Sequence, residues 1–153
     1  MLKDPIVKRT FGSVFRRIMS GGTVLTPVEH QLIERLVAAL PASLRGTVEA
    51  QFEAYNLVQR EVDGRALNFY RTTTGRAGVA DLPQLAMTQD VAPLVRLTAN
   101  IEGQKEPVHA TLTAVSGRAF CIGFSRALPA KGGVSVVKTK QAWRSKFAGG
   151  EDA

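Results

Sequence analysis

Residues 94–126 read LVRLTANIEGQKEPVHATLTAVSGRAFCIGFSR, and the alternation inside this stretch decides the fold class. Val95, Leu97, Ala99 and Ile101 alternate with Arg96, Thr98, Asn100 and Glu102. A period of two predicts a half-buried strand, because successive side chains of a strand point to opposite faces. Gly103–Pro107 is a polar turn. Val108–Val115 and Arg118–Arg126 are two further strands joined by the two-residue hairpin Ser116-Gly117. Together the three form a meander, and Val134–Val137, after Gly132-Gly133, adds an edge strand.

Working back toward the N-terminus, a second hairpin precedes the meander. Leu57–Val62 and Arg65–Thr72 flank Asp63-Gly64, a pair suited to a type I′ turn in which both central residues take positive φ. In that register Val58, Val62, Leu67 and Phe69 share one face. Before this hairpin the apolar period is helical. Thr26-Pro27-Val28-Glu29 is a capping box, in which the threonine hydroxyl and the glutamate carboxylate satisfy each other's backbone amides. Val28, Leu32, Ile33, Leu36, Val37 and Leu40 form the buried stripe of that helix, and Pro41 ends it. The next helix runs from near Ser43 to about Tyr55 with Leu44, Val48, Phe52 and Tyr55 inward. The short link between the two makes them an antiparallel pair.

The chain opens on another helical pattern, roughly Asp4 to Ser20. Asp4 caps it, Pro5 suits its first position, and Gly21-Gly22 stops it. Ile6, Val7, Phe11, Val14, Phe15, Ile18 and Met19 share one face, while Arg9, Arg16 and Arg17 share the other with Lys8 at the margin. Residues 73–92 read as loop, with Leu82–Met87 as a turn of helix. Gln141–Phe147 reads as a short helical turn carrying Trp143 and Phe147. The expected fold is α+β: about three N-terminal helices packed on one face of a mostly antiparallel sheet of five or six strands. Residues 1–153 are read as a single domain. Residues 1–22 are a basic amphipathic helix, 23–130 a neutral α+β body, and 131–153 a basic C-terminal segment.

The net charge of +7 is concentrated at the ends. Residues 1–20 carry Lys3, Lys8, Arg9, Arg16 and Arg17 against Asp4, and residues 131–153 carry Lys131, Lys138, Lys140, Arg144 and Lys146 against Glu151 and Asp152. The segment between them is balanced. Charge segregated in this way points to an anionic partner, or to solvated ends that aid solubility. One cysteine, Cys121, excludes an internal disulfide and suits a reducing compartment. Lys8, Arg9, Arg16 and Arg17 break the apolar runs a signal peptide needs, and no stretch approaches the roughly 20 apolar residues of a membrane span. The expected location is the cytoplasm.

Candidate chemistry is sparse. With a simple register from the Ser116-Gly117 turn, Val115 opposes Arg118, Leu112 opposes Cys121 and His109 opposes Phe124. His109 and Cys121 then lie on opposite faces and form no dyad, unless a bulge intervenes. His30 and Glu34, one helical turn apart, are a two-ligand fragment, short of the three or four ligands zinc requires. Glu49 and Glu53 are a turn apart, near enough to perturb each other, and nothing else marks them as acid and base. Arg71, Thr73, Thr74 and Arg76 form a weak anion-binding loop that lacks the lysine-serine pair and following helix of a P-loop.

No metal and no cofactor are expected, and the balance of residues lies against an enzyme. The leading expectation is a non-enzymatic macromolecule-binding or adaptor protein. Lys8, Arg9, Arg16 and Arg17 at one end, and Lys138, Lys140, Trp143, Arg144 and Lys146 at the other, would contact an acidic protein. Nucleic acid is the second partner class, since Trp143 and Phe147 within a basic run suit base stacking. An anionic membrane surface, reached through residues 4–20, is a third. A small-molecule-binding domain or enzyme, with a pocket between helices and sheet and polar groups such as His109, Tyr70 or Arg96, stays open beside them.

Overall fold

A computed structural model describes residues 24–71 and 82–141. Two helices, α1 (Pro27–Ala38) and α2 (Ala42–Ala54), are followed by six strands: β1 (Leu57–Arg60), β2 (Ala66–Tyr70), β3 (Val91–Ile101), β4 (Val108–Val115), β5 (Arg118–Phe124) and β6 (Val134–Gln141). The strands form one antiparallel sheet in the order β1-β2-β5-β4-β3-β6. The class is α+β, with two helices among the described residues rather than about three. The expected Asp4–Ser20 helix lies outside them, as do Ala142–Phe147 of the expected C-terminal turn.

α1 starts on its capping box. The Thr26 hydroxyl accepts from the Glu29 amide at 3.1 Å, and Glu29 Oε1 accepts from the Thr26 amide at 2.9 Å. The same carboxylate, only 3% exposed, receives Arg60 of β1 in a two-pronged contact, Nε to Oε2 and Nη2 to Oε1, both 2.6 Å. Two residues on, the Gln31 side chain donates to the Gly132 carbonyl and accepts from the Val134 amide of β6. One turn of α1 therefore holds both edge strands. In a flat sheet of six strands those edges would stand about 24 Å apart. Neighbouring side chains reach both here, so the sheet curls around the helix.

The core lies between the helices and the concave face. Val28, Leu32, Ile33, Leu36 and Val37 from α1 and Leu44, Val48 and Phe52 from α2 are buried. They meet Val58, Leu67 and Phe69 from β1 and β2, and Leu97, Ala110, Leu112 and Ile122 from the central strands. Phe52 stands edge-on to Tyr55 and Phe69, with ring centroids 5.6 and 4.9 Å away. Arg45 of α2 closes the end of α1 by donating to the carbonyls of Ala38 and Leu40.

Several local expectations are corrected. Gly64 has φ 74°, whereas Asp63 is not left-handed, so the first hairpin is not a two-residue type I′ turn. Its loop is wider: the Gly64 amide bonds the Glu61 carbonyl and the Asp63 side chain accepts from the Arg65 amide. Val62 sits on that loop, fully exposed, and leaves the Val58 face. Ser116 and Gly117, by contrast, both have positive φ, 51° and 85°, and Val115 faces Arg118 across a two-residue turn. Leu82–Met87 forms no helical turn. β3 begins three residues before Leu94 and accommodates Pro93 at a register shift. β6 runs to Gln141, four residues past the expected end.

Candidate functional site

The helices cover one face of the sheet, and the other face carries the polar half of each alternation. Directly paired residues of antiparallel strands share a face. Two adjacent rows can therefore be followed across four strands. The first runs from Ser125, just past β5, through His109 and Thr98 to Lys138; the second runs from Gly123 through Thr111 and Arg96 to Lys140. Val137 is the extra residue at the β3–β6 register shift, and this bulge brings Lys138 into line with Thr98.

Hydrogen bonds fix the first-row and second-row side chains. Arg96 Nε donates to Thr111 Oγ1 at 3.1 Å, and His109 Nδ1 lies 2.9 Å from Thr98 Oγ1. The Ser125 hydroxyl accepts from the His109 amide at 3.0 Å. Arg96, His109, Thr111, Gly123 and Ser125 line an open hollow of about 320 Å³. Arg96, Lys138 and Lys140 are exposed, and none forms an ion pair among the described residues. The result is a cationic, hydroxyl-rich depression over β3, β4 and the end of β5, on the face that no helix covers among the described residues (the uncovered face).

An aromatic patch occupies the same face toward β2. Tyr70 and Phe120 meet edge to face with centroids 5.4 Å apart, and the Arg118 guanidinium stands 6.0 Å from the Phe120 ring. Phe120 belongs to a bulge: Thr113 pairs with Cys121 but Ala114 pairs with Ala119. The backbone of Ala119 is then satisfied from α2. Its amide donates to Gln51 Oε1 at 2.8 Å and its carbonyl accepts the Tyr55 hydroxyl. Gln51 Nε2 also donates to the carbonyls of Pro83 and Gly117. Burial pushes the Tyr55 hydroxyl up to about 12, with nearby Arg118 opposing the shift.

This bulge overturns the parity argument for Cys121 and His109. One extra residue in β5 places Cys121 on the uncovered face, the face that His109 occupies. They still form no dyad. His109 lies opposite Ser125 and Cys121 opposite Thr113, four residues along, which separates them by roughly 13 Å. Burial, and then the charge of Glu61, push the Cys121 thiol up, away from a reactive thiolate.

His30 Nε2 and Glu34 Oε2 are 3.6 Å apart, so the expected pair exists. Burial lowers the His30 pKa and Glu34 partly offsets this. Among the described residues no group of three or more potential metal ligands occurs.

Of the anticipated partner-binding residues, Lys138 and Lys140 lie side by side on β6 and join Arg96 and His109. Arg71 follows β2, half-buried. Lys8, Arg9, Arg16, Arg17, Thr73, Thr74, Arg76, Trp143, Arg144 and Lys146 lie outside the described residues. Arg96 and His109 converge as a polar pair should, but on the face away from the helices, and Tyr70 is not with them. Thr98, Thr111, Gly123 and Ser125 were not singled out by the sequence. The signal that finds them is strand register, which alternation alone does not supply. No helix among the described residues is long and apolar enough to cross a membrane. No family model, curated protein or solved structure matches the chain.

Proposed function

We propose that the chain is a non-enzymatic macromolecule-binding protein that grips an acidic protein partner with the basic side of its uncovered sheet face. The observation that carries this reading is the alignment of Lys138 and Lys140 with Thr98 and Arg96, which turns a basic sequence segment into part of a surface shared with His109. Cations that form no ion pair among the described residues, held on a rigid sheet, suit electrostatic complementarity, which sets on-rate and choice of partner.

The test is capture from native cells with the wild-type chain and with Lys138, Lys140, Arg144 and Lys146 all replaced by alanine. A stoichiometric protein recovered with the wild type and lost with the variant is the expected result. Equal recovery by both would sink the reading. The Tyr70–Phe120 patch favours a second reading, single-stranded nucleic acid, because an aromatic and cationic sheet face can stack bases. That reading requires recovered material to absorb as nucleic acid, to vanish with nuclease, and to be released steeply by salt.

A further inference from the structure

Gly123, the penultimate residue of β5, is paired on both sides, with Thr111 of β4 and Ala66 of β2, and the fold makes no demand for glycine there. Its φ is not positive, and a Cβ added there meets no atom of the described residues within 4 Å. Glycine weakens a strand interior, and one with no steric reason often marks the close approach of something else. The space left by the missing side chain opens into the hollow lined by Arg96, His109, Thr111 and Ser125.

We propose that this hollow is a seat for a phosphate monoester dianion. Thr111 engages Arg96 through Nε, which leaves the terminal guanidinium nitrogens for paired contact with phosphoryl oxygens. The His109 ring engages the Thr98 hydroxyl through Nδ1 at 2.9 Å, which leaves Nε2 as a further polar group for the ligand. Thr111 and Ser125 contribute hydroxyls, and among the described residues no carboxylate lines the hollow. Lys138 and Lys140, paired with Thr98 and Arg96, add charge at the rim.

The extent of the patch selects the ligand. Among the described residues, the cations of the hollow and its rim occupy two rows, separated by two strand residues or about 7 Å. A polyanion recognised along its backbone meets a longer run of charge. Two rows match one group carrying a charge of about −1.5 to −2, as a phosphate monoester does near neutrality. Such a group comes either from a phosphorylated side chain of a partner protein or from a free phosphate ester. The seat is a claim separate from the macromolecular reading.

Backbone NMR titration of the full chain tests it, with inorganic phosphate, a phosphoserine peptide, its unphosphorylated form and a single-stranded oligonucleotide, all at constant ionic strength set with chloride. Phosphate should give saturable shifts at Arg96, His109, Thr111 and Gly123. Arg96→Gln should weaken them by about tenfold or more, the loss of a charge-assisted pair. Gly123→Val should abolish them while keeping or raising the melting temperature, since the β-branched side chain enters the hollow without strain and suits a strand better than glycine. Tighter binding of the phosphopeptide than of phosphate assigns the group to a protein partner; equal or weaker binding assigns it to a free ester. Binding to folded Gly123→Val as strong as to wild type, no saturation, or preference for the oligonucleotide overturns the seat. No phosphate response together with capture that depends on Lys138 and Lys140 defeats only the seat. Phosphate response with capture unchanged in the lysine variant defeats only the macromolecular reading.

Discussion

The two faces of one sheet have divided the labour of this molecule. On the concave face, apolar side chains meet two helices, and the few polar groups there are matched to specific partners, as Gln51 and Tyr55 are to Ala119. On the other face, threonines alternate with the same apolar residues, and the cations lack countercharges among the described residues. Strand geometry forces this pairing of opposites: every residue placed in the core sends its neighbour outward. The lesson is that stability and recognition are written in alternate letters of the same strands, so each can be altered with little effect on the other.

The strongest way to break that comparison is to truncate the aromatic centre of the covered face. Phe52→Ala should cost about 3–5 kcal/mol in urea denaturation, whereas Thr111→Ala on the open face should stay within about 0.5 kcal/mol. Equal losses would mean that the open face is also structural. A smaller effect is expected from Gln51→Ala, which leaves the Ala119 amide and the Pro83 carbonyl without this partner. That change should cost about 1–3 kcal/mol and should raise amide exchange in the β4–β5 hairpin.

The smallest effect near neutrality, and the most specific, belongs to Tyr55. Its folded pKa is raised from 10.0 to about 12, so the native state keeps a proton that the unfolded chain releases. Stability is unaffected below pH 10 and falls as pH rises from 10 toward 12. Two pH units correspond to roughly 2–3 kcal/mol by the top of that window. Tyr55→Phe should remove this tyrosine-linked alkaline decline while lowering stability slightly at pH 7. A Tyr55→Phe protein that declines as wild type does between pH 10 and 12 would refute the assignment.

Patterns closed within a few residues were legible in the sequence. The capping box of Thr26 and Glu29, the stripes of both described helices and the Ser116-Gly117 turn all rest on local chemistry, and each is found where its residues stand. Features fixed by distant partners were not legible. The Phe120 bulge depends on Gln51 and Tyr55, which reach Ala119 from a helix more than sixty residues away. Nothing in RAFCIGF announces an extra residue, so the face of Cys121 was misread. The candidate site suffered in the same way. Lys138 and Lys140 stood out as charge, but their alignment with Arg96 and His109 depends on the β3–β6 register and on a shift at Val137. The Asp63-Gly64 turn failed for a subtler reason: the dipeptide permits a tight turn, yet Asp63 bonds the Arg65 amide in a wider one.

The grip of α1 on both edge strands has a consequence for how copies of this chain meet one another. Glu29 and Gln31, two residues apart, hold β1 and β6 at the rims of a curved surface. A long flat rim is a template on which another chain can lay down a strand, and repetition of that event builds a fibre. Curvature turns each rim out of the line a second sheet would need, and the lysines of β6 repel a like neighbour. Thus the helix turn that fastens the fold also guards against its uncontrolled polymerisation.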